Sequence, residues 1–135
     1  MKIEADWQNG MHFKCKSPSN HVTDYDSGPS GSKTNGPTPM EVMLEAVACC
    51  SGMDIIAILQ KKRKEPDNFN IVVEGERAET HPKKFTKIDI LFKIEKDGLT
   101  EKDVEQAIKL SVDKYCSILS TISKETDINW KYELK

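Results

Sequence analysis

The chain of 135 residues has no charge-free apolar run long enough to cross a membrane. Its most apolar stretch, residues 42–59, is interrupted by Glu45 and Asp54. It falls short of the roughly 20 uninterrupted apolar residues of a spanning helix. The start, MKIEADW, lacks the apolar core of a signal peptide, so a cytoplasmic location is expected. Charge of one sign is missing too. Twenty Lys and Arg against 22 Asp and Glu give a net charge of −2, which excludes the basic field that nucleic acid requires. Cysteine is sparse: Cys15, Cys49, Cys50 and Cys116, with no CxxC pair and no disulfide-scaffold density. In a reducing compartment such thiols are free, catalytic or buried. The three histidines, 12, 21 and 81, show no zinc-ligand spacing with the cysteines, so no metal is expected. There is no internal repeat. With 37% hydrophobic and 31% charged residues, the chain reads as one soluble domain with a core of its own.

What is present is organised around one helix, Gly36 to Lys64. Thr38 caps it, Pro39 suits its first position, and Glu41 completes a Thr-x-x-Glu capping box. Lys61, Lys62, Arg63 and Lys64 suit the negative end of its dipole, and Pro66 stops it. Apolar residues surround the helix on nearly every side, which predicts burial. A chain of this size has little interior for that, so a second subunit over one face is the simplest cover.

Before the helix, Ile3, Ala5 and Trp7 alternate with charged residues, Asn9-Gly10 marks a hairpin, and Met11, Phe13 and Cys15 alternate again. These predict strands with Cys15 facing inward beside Phe13, and a third short strand over residues 21–24. Residues 26–37, rich in Gly, Ser and Pro, are a connector or a lid. After the helix, residues 70–80 and 85–96 read as strands joined by a turn holding a solvated His81, and in the second strand Ile88, Ile90, Phe92 and Ile94 alternate with Lys87, Asp89 and Lys93. Residues 100–124 read as one helix capped by Thr100, with Val104, Ala107, Ile108, Val112, Tyr115, Leu119 and Ile122 on its apolar face. A last strand follows, with Ile128, Trp130, Tyr132 and Leu134 on one side. The order βββ-α-ββ-α-β, with antiparallel sheets and a long buried central helix, predicts an α+β fold.

The stretch GPTPMEVMLEAVACCSGMDII resembles the signature of the OsmC/Ohr family of small thiol proteins. ERAETHPKKFTKIDILFKI resembles the paired strands of that family, and AIKLSVDKYCSIL its second-cysteine helix. The KKRK helix end and HPKKFTKI strand are similar to a less-characterised OsmC-like branch. The resemblance implies an intertwined homodimer with active sites at the subunit interface. It implies reduction of organic hydroperoxides, and of hydrogen peroxide in some members, with an external dithiol as reductant and no bound cofactor. It places the reactive cysteine at Cys50, ahead of a small-x-Met-Asp run, the resolving cysteine at Cys116, and the glutamate that follows the Pro-x motif at Glu41.

Peroxide reduction needs a thiolate, and a free cysteine with its ordinary pKa near 8.5 is only a few per cent ionised at neutral pH. Cys50 lies some 12 residues into its helix, about 18 Å from the N-terminus, too far for the helix dipole to help. The family's peroxidases carry an arginine in the N-terminal loop region, held by the glutamate that maps to Glu41. This chain has only Arg63 and Arg77, both elsewhere, and Lys33 is the one cation of residues 26–37. Lys33 is the expected stand-in, though a lysine lacks the guanidinium fork. Three functions fit: a thiol-dependent peroxidase working through a Cys50 sulfenic acid and a Cys50–Cys116 disulfide, a small-molecule binder on the same scaffold, or a redox-responsive dimer without turnover.

Overall fold

The computed structural model describes residues 1–135. The elements are β1 (Glu4–Asn9), β2 (His12–Lys16), β3 (Val22–Tyr25), α1 (Pro39–Lys61), β4 (Asn68–Arg77), β5 (Phe85–Glu95), α2 (Glu101–Leu110), a π-helical turn (Ser111–Tyr115), α3 (Ser117–Thr121) and β6 (Asp127–Leu134). This is the α+β order expected. The chain divides into two compact units, Met1–Met43 and Leu44–Lys135.

In the first unit, β1, β2 and β3 form an antiparallel sheet with Ala5 opposite Cys15, Trp7 opposite Phe13 and Phe13 opposite Tyr25. Gly10, at φ +51°, turns the hairpin where Asn-Gly predicted it. The apolar face is real, but it is not buried. Trp7 is 64% and Met11 65% exposed, and Cys15 is only half-buried. Ala5, Met11, Phe13, Cys15 and Tyr25 line an open apolar groove. The buried residue of β2 lies on the opposite parity: His12, whose Nε2 sits 2.6 Å from the Asp24 carboxylate. The inward placing of Cys15 and Phe13 is thus corrected, because nothing in this sheet covers that face.

The loop of residues 26–37 is tied at its base. The Asp26 carboxylate accepts hydrogen bonds from the Ser27 and Asn35 amides and the Asn35 side chain, and the Asp26 amide bonds Pro37 O. α1 then starts on the expected capping box. Thr38 N and Oγ1 donate to Glu41 Oε2 at 2.7 and 3.0 Å, and Glu41 N donates to Thr38 Oγ1. The helix ends with Arg63 in the left-handed region (φ +56°). Arg63 N bonds Gln60 O and Lys64 N bonds Leu59 O, the paired bonds of a Schellman cap.

In the second unit α1 is buried along one stripe only, Val47, Ser51, Ile55 and Leu59, with Gly52 against the Phe69 and Ile71 side chains of β4. Cys49, Met53 and Ala57 remain exposed, with Met53 at 72%. The expectation of a helix buried on every side is corrected within a single chain. By length and composition α1 could cross a membrane, but this stripe is part of the protein's own core.

The sheet runs β4-β5-β6. Ile88, Ile90, Phe92 and Ile94 of β5 are buried, as their alternation predicted, and Phe85 at the start of the strand is buried too. β4 and β5 are antiparallel, but β6 pairs parallel with β5. The segment from α2 through α3 is long enough to carry the chain back across the sheet, which a parallel pair requires. The helix expected over 100–124 is broken by the π turn at 111–115 and by Cys116, whose extended backbone (φ −67°, ψ 102°) starts α3.

Asp103 ties α2 to the end of α1. It completes the Thr100 capping box and receives Lys64 Nζ at 2.6 Å and Lys62 Nζ at 3.4 Å. The Lys64 ammonium foremost, then the Thr100 hydroxyl, hold its carboxyl well below the usual carboxylate range. Asp103→Asn keeps a capping oxygen and removes the charge, so a loss of about 1–3 kcal/mol at neutral pH is expected. A depressed folded pKa stabilises above the unfolded value near 3.9 and loses that contribution as pH falls below it. Urea midpoints of wild type and variant are therefore expected to differ at pH 7 and converge below about pH 4.

Candidate functional site

Cys50 and Asp54 are one helical turn apart on α1 and share a face. Cys116 approaches that face because of the π turn. Val104, Ala107, Ile108 and Ser111 are buried at ordinary α spacing. A continuing α-helix would bring Tyr115 in next. The extra residue of the π turn, closed by Cys116 N donating to Ser111 O at 2.8 Å, brings Cys116 in instead. Tyr115 is left 50% exposed and Cys116 is 2% exposed.

The result is a tight cluster. The Cys50 and Cys116 sulfurs and a carboxylate oxygen of Asp54 all lie within 4.8 Å of one another. Both thiols are free, and Cys50, half-buried, is the more accessible. Burial pushes the Cys116 thiol up to about 11, and the adjacent Cys50 thiol adds to the rise. The Leu119 amide, donating to Cys116 Sγ at 3.5 Å, opposes that rise. Ser111 supports the cluster from behind. Its buried hydroxyl stands 3.1 Å from Asp54 Oδ2 and 3.3 Å from Ser51 O. Beyond Asp54 a cleft of about 380 Å³ is lined by Ala57, Ile58, Lys61, Lys62, Leu110 and Tyr115.

Of the four residues singled out in the sequence, Cys50 and Cys116 are brought together. Glu41 is engaged in the α1 cap, where the Thr38 amide and then its hydroxyl lower its carboxyl pKa. Lys33 is exposed in the loop of the first unit and makes no ion pair. Asp54 and Ser111 were not singled out. Asp54 was visible four residues after Cys50, a spacing that places two side chains on one helix face. Ser111 carried no signal, since its position depends on the π turn.

The fold and the cluster define a small α+β protein with a paired-thiol site between its central helix and a helix break. The chain belongs to the OsmC-like protein family, whose model matches residues 30–131. It is similar to Protein YhfA of Escherichia coli (strain K12), at 35% identity over 134 residues, 99% of this chain and 98% of that one. Among solved structures it is similar to an OsmC-like protein from Mycoplasma pneumoniae, with TM-score 0.86 and 17% identity over 98% of this chain and 95% of that one. It is also similar in fold to the organic hydroperoxide resistance protein OhrB of Bacillus subtilis, with TM-score 0.61 and 17% identity over 99% and 96%.

The Ser111 hydroxyl joins the π turn to α1 in a buried setting. Ser111→Ala removes the one hydroxyl proton shared between Asp54 Oδ2 and Ser51 O, and is expected to cost about 1–2 kcal/mol in urea unfolding. It is also expected to slow Cys50–Cys116 disulfide formation by diamide, read from a non-reducing peptide map.

Proposed function

We propose that the protein is a thiol-dependent peroxidase that reduces organic hydroperoxides, with hydrogen peroxide as a smaller substrate. The observation that carries this reading is the meeting of Cys50 and Cys116 within 4.8 Å, one accessible and one buried. Membership of the OsmC-like family and the fold shared with an organic hydroperoxide resistance protein support a redox role.

In the proposed cycle the Cys50 thiolate attacks one peroxide oxygen. The O–O bond breaks, the alcohol leaves with a proton, and Cys50 becomes a sulfenic acid. Cys116 sulfur then attacks the Cys50 sulfur, expelling water and closing the sulfurs to about 2.05 Å. A cytoplasmic dithiol restores both thiols by exchange and is itself oxidised to a disulfide. Exposure supports these roles: Cys50 is half-buried, whereas Cys116 is shielded. No bound cofactor enters this cycle. The cation proposed to favour the thiolate is Lys33, the one cation of residues 26–37.

The working unit in this proposal is a homodimer with its sites at the interface. The exposed stripe of Cys49, Met53 and Ala57 borders an apolar groove that includes Ile56, Phe69 and Ile71. The first unit's sheet likewise leaves Trp7, Met11 and Phe13 uncovered. Apolar patches of this kind mark interfaces.

After one equivalent of an organic hydroperoxide, a non-reducing peptide map is expected to show a Cys50–Cys116 crosslink. Cys50→Ser should abolish peroxide consumption. Cys116→Ser should stop after one turnover at a trappable sulfenic acid. Lys33→Ala should slow the first step about tenfold, equivalent to about 1.4 kcal/mol of barrier. Thiols that stay reduced, or that oxidise no faster than free cysteine, would sink the reading. For the dimer, Met53→Glu is expected to shift light-scattering mass from two chains to one; a monomeric wild type would remove that part.

A further inference from the structure

Cys50, Asp54 and Cys116 present two sulfurs and one carboxylate oxygen to a common point, all within 4.8 Å of one another. That donor set is selective. Hard cations such as calcium and magnesium take oxygen ligands throughout. Copper(I) is selected by soft sulfur ligands. Two thiolates with a carboxylate suit Zn(II), whose sites with three protein ligands keep a fourth position open. The dimensions also fit. Two sulfurs at about 2.3 Å from a tetrahedral ion are about 3.8 Å apart, within the spread seen here. Cys50 and Asp54 are fixed one turn apart on a helix, and Cys116 is fixed by the π turn. Ser111 Oγ donates to Asp54 Oδ2 and orients the carboxylate, the outer-shell support that metal-ligating carboxylates show.

We propose that the reduced Cys50–Cys116 pair binds one Zn(II)-class cation per chain through Cys50 Sγ, Cys116 Sγ and an Asp54 carboxylate oxygen. Binding releases two protons, one from each thiol, and transfers no electrons. Water or an incoming thiol takes the fourth position. Metal and disulfide exclude each other, because a disulfide needs the sulfurs at about 2.05 Å and uses the electron pairs the metal would share. The cation is therefore a reversible guard of the dithiol. This inference rests on donor geometry and stands whether or not the protein turns over peroxide.

The test uses the reduced full-length protein, with Co(II) as the spectroscopic probe and Zn(II) in competition with a chromophoric chelator. One Co(II) per chain is expected, with thiolate-to-metal charge transfer and tetrahedral d–d absorption. Cys50→Ser and Cys116→Ser should each weaken Zn(II) binding at least 100-fold, and Asp54→Asn about tenfold. Ser111→Ala, which alters no ligand, should weaken binding about tenfold. Cys15→Ser and Cys49→Ser should leave it unchanged. Circular dichroism establishes that each variant is folded; should Asp54→Asn fail to fold, Ser111→Ala carries the test of the carboxylate. Zn(II) should block disulfide formation by diamide, a thiol oxidant that is not a peroxide, and a chelator should restore it. Binding that survives in Cys50→Ser or Cys116→Ser, or that depends on Cys49, would overturn the assignment. So would absence of stoichiometric binding, or diamide oxidation as fast with zinc as without it.

Discussion

The paired-thiol site depends on one wide turn of helix. Residues 111–115 close with the i→i+5 bond from Cys116 N to Ser111 O, and this single extra residue decides which side chain follows Ser111 into the core. A π bulge is less favourable than the α turn it replaces, so something must hold it. The Ser111 hydroxyl, wholly buried against Ser51 O and Asp54, is placed to do so. The chain then leaves helical geometry at Cys116 and caps α3 with the same sulfur that reaches Cys50. One thiol of the candidate site therefore sits where local backbone regularity is given up, and π turns are frequent at functional sites.

Positive charge in the second unit is arranged around the Cys50–Asp54–Cys116 cluster without entering it. The lysines at the end of α1 are directed to α2: Lys62 and Lys64 both reach Asp103, and Lys62 also reaches Gln106. That ion cluster, only slightly exposed at Asp103, fixes the start of α2 against the end of α1. With both ends of the α1–α2 contact held, by ions at one and by Ser111 at the other, the distance between Cys50 and Cys116 is set by two rigid elements and not by a loop.

Much of this was legible in residues whose message is local. Thr38-x-x-Glu41 announced a capping box, Asn9-Gly10 a hairpin, and the alternation at 88, 90, 92 and 94 a buried strand face; each depends on neighbours within a few positions. The cysteine pair 50 and 116 was legible through family resemblance, not through any spacing rule. Three features were not legible. The π turn conflicts with the α period that Val112, Tyr115 and Leu119 imitate, so the period points to Tyr115 where the core takes Cys116. The parallel pairing of β6 follows from where a crossover returns, which alternation along one strand cannot say. The open faces of β1–β3 and α1 carry the apolar pattern of buried surfaces, because alternation and helical period record which residues share a face and not what lies against it.

Two thiols and a carboxylate within 4.8 Å create an electrostatic problem with few solutions. Ionising both sulfurs would place three negative charges together in a partly buried site, where repulsion is weakly screened. The thiols can stay protonated, which burial enforces at Cys116. They can share a covalent bond, or they can share a cation. The fold selects none of the last two by itself, since it supplies adjacency and no resident positive charge among the three. What reaches the half-buried side, an oxidant or a metal ion, determines the outcome. Selectivity must then come from access to Cys50 and from the groups that surround the cluster, among them Ala57, Ile58, Leu110 and Tyr115 of the cleft beside Asp54.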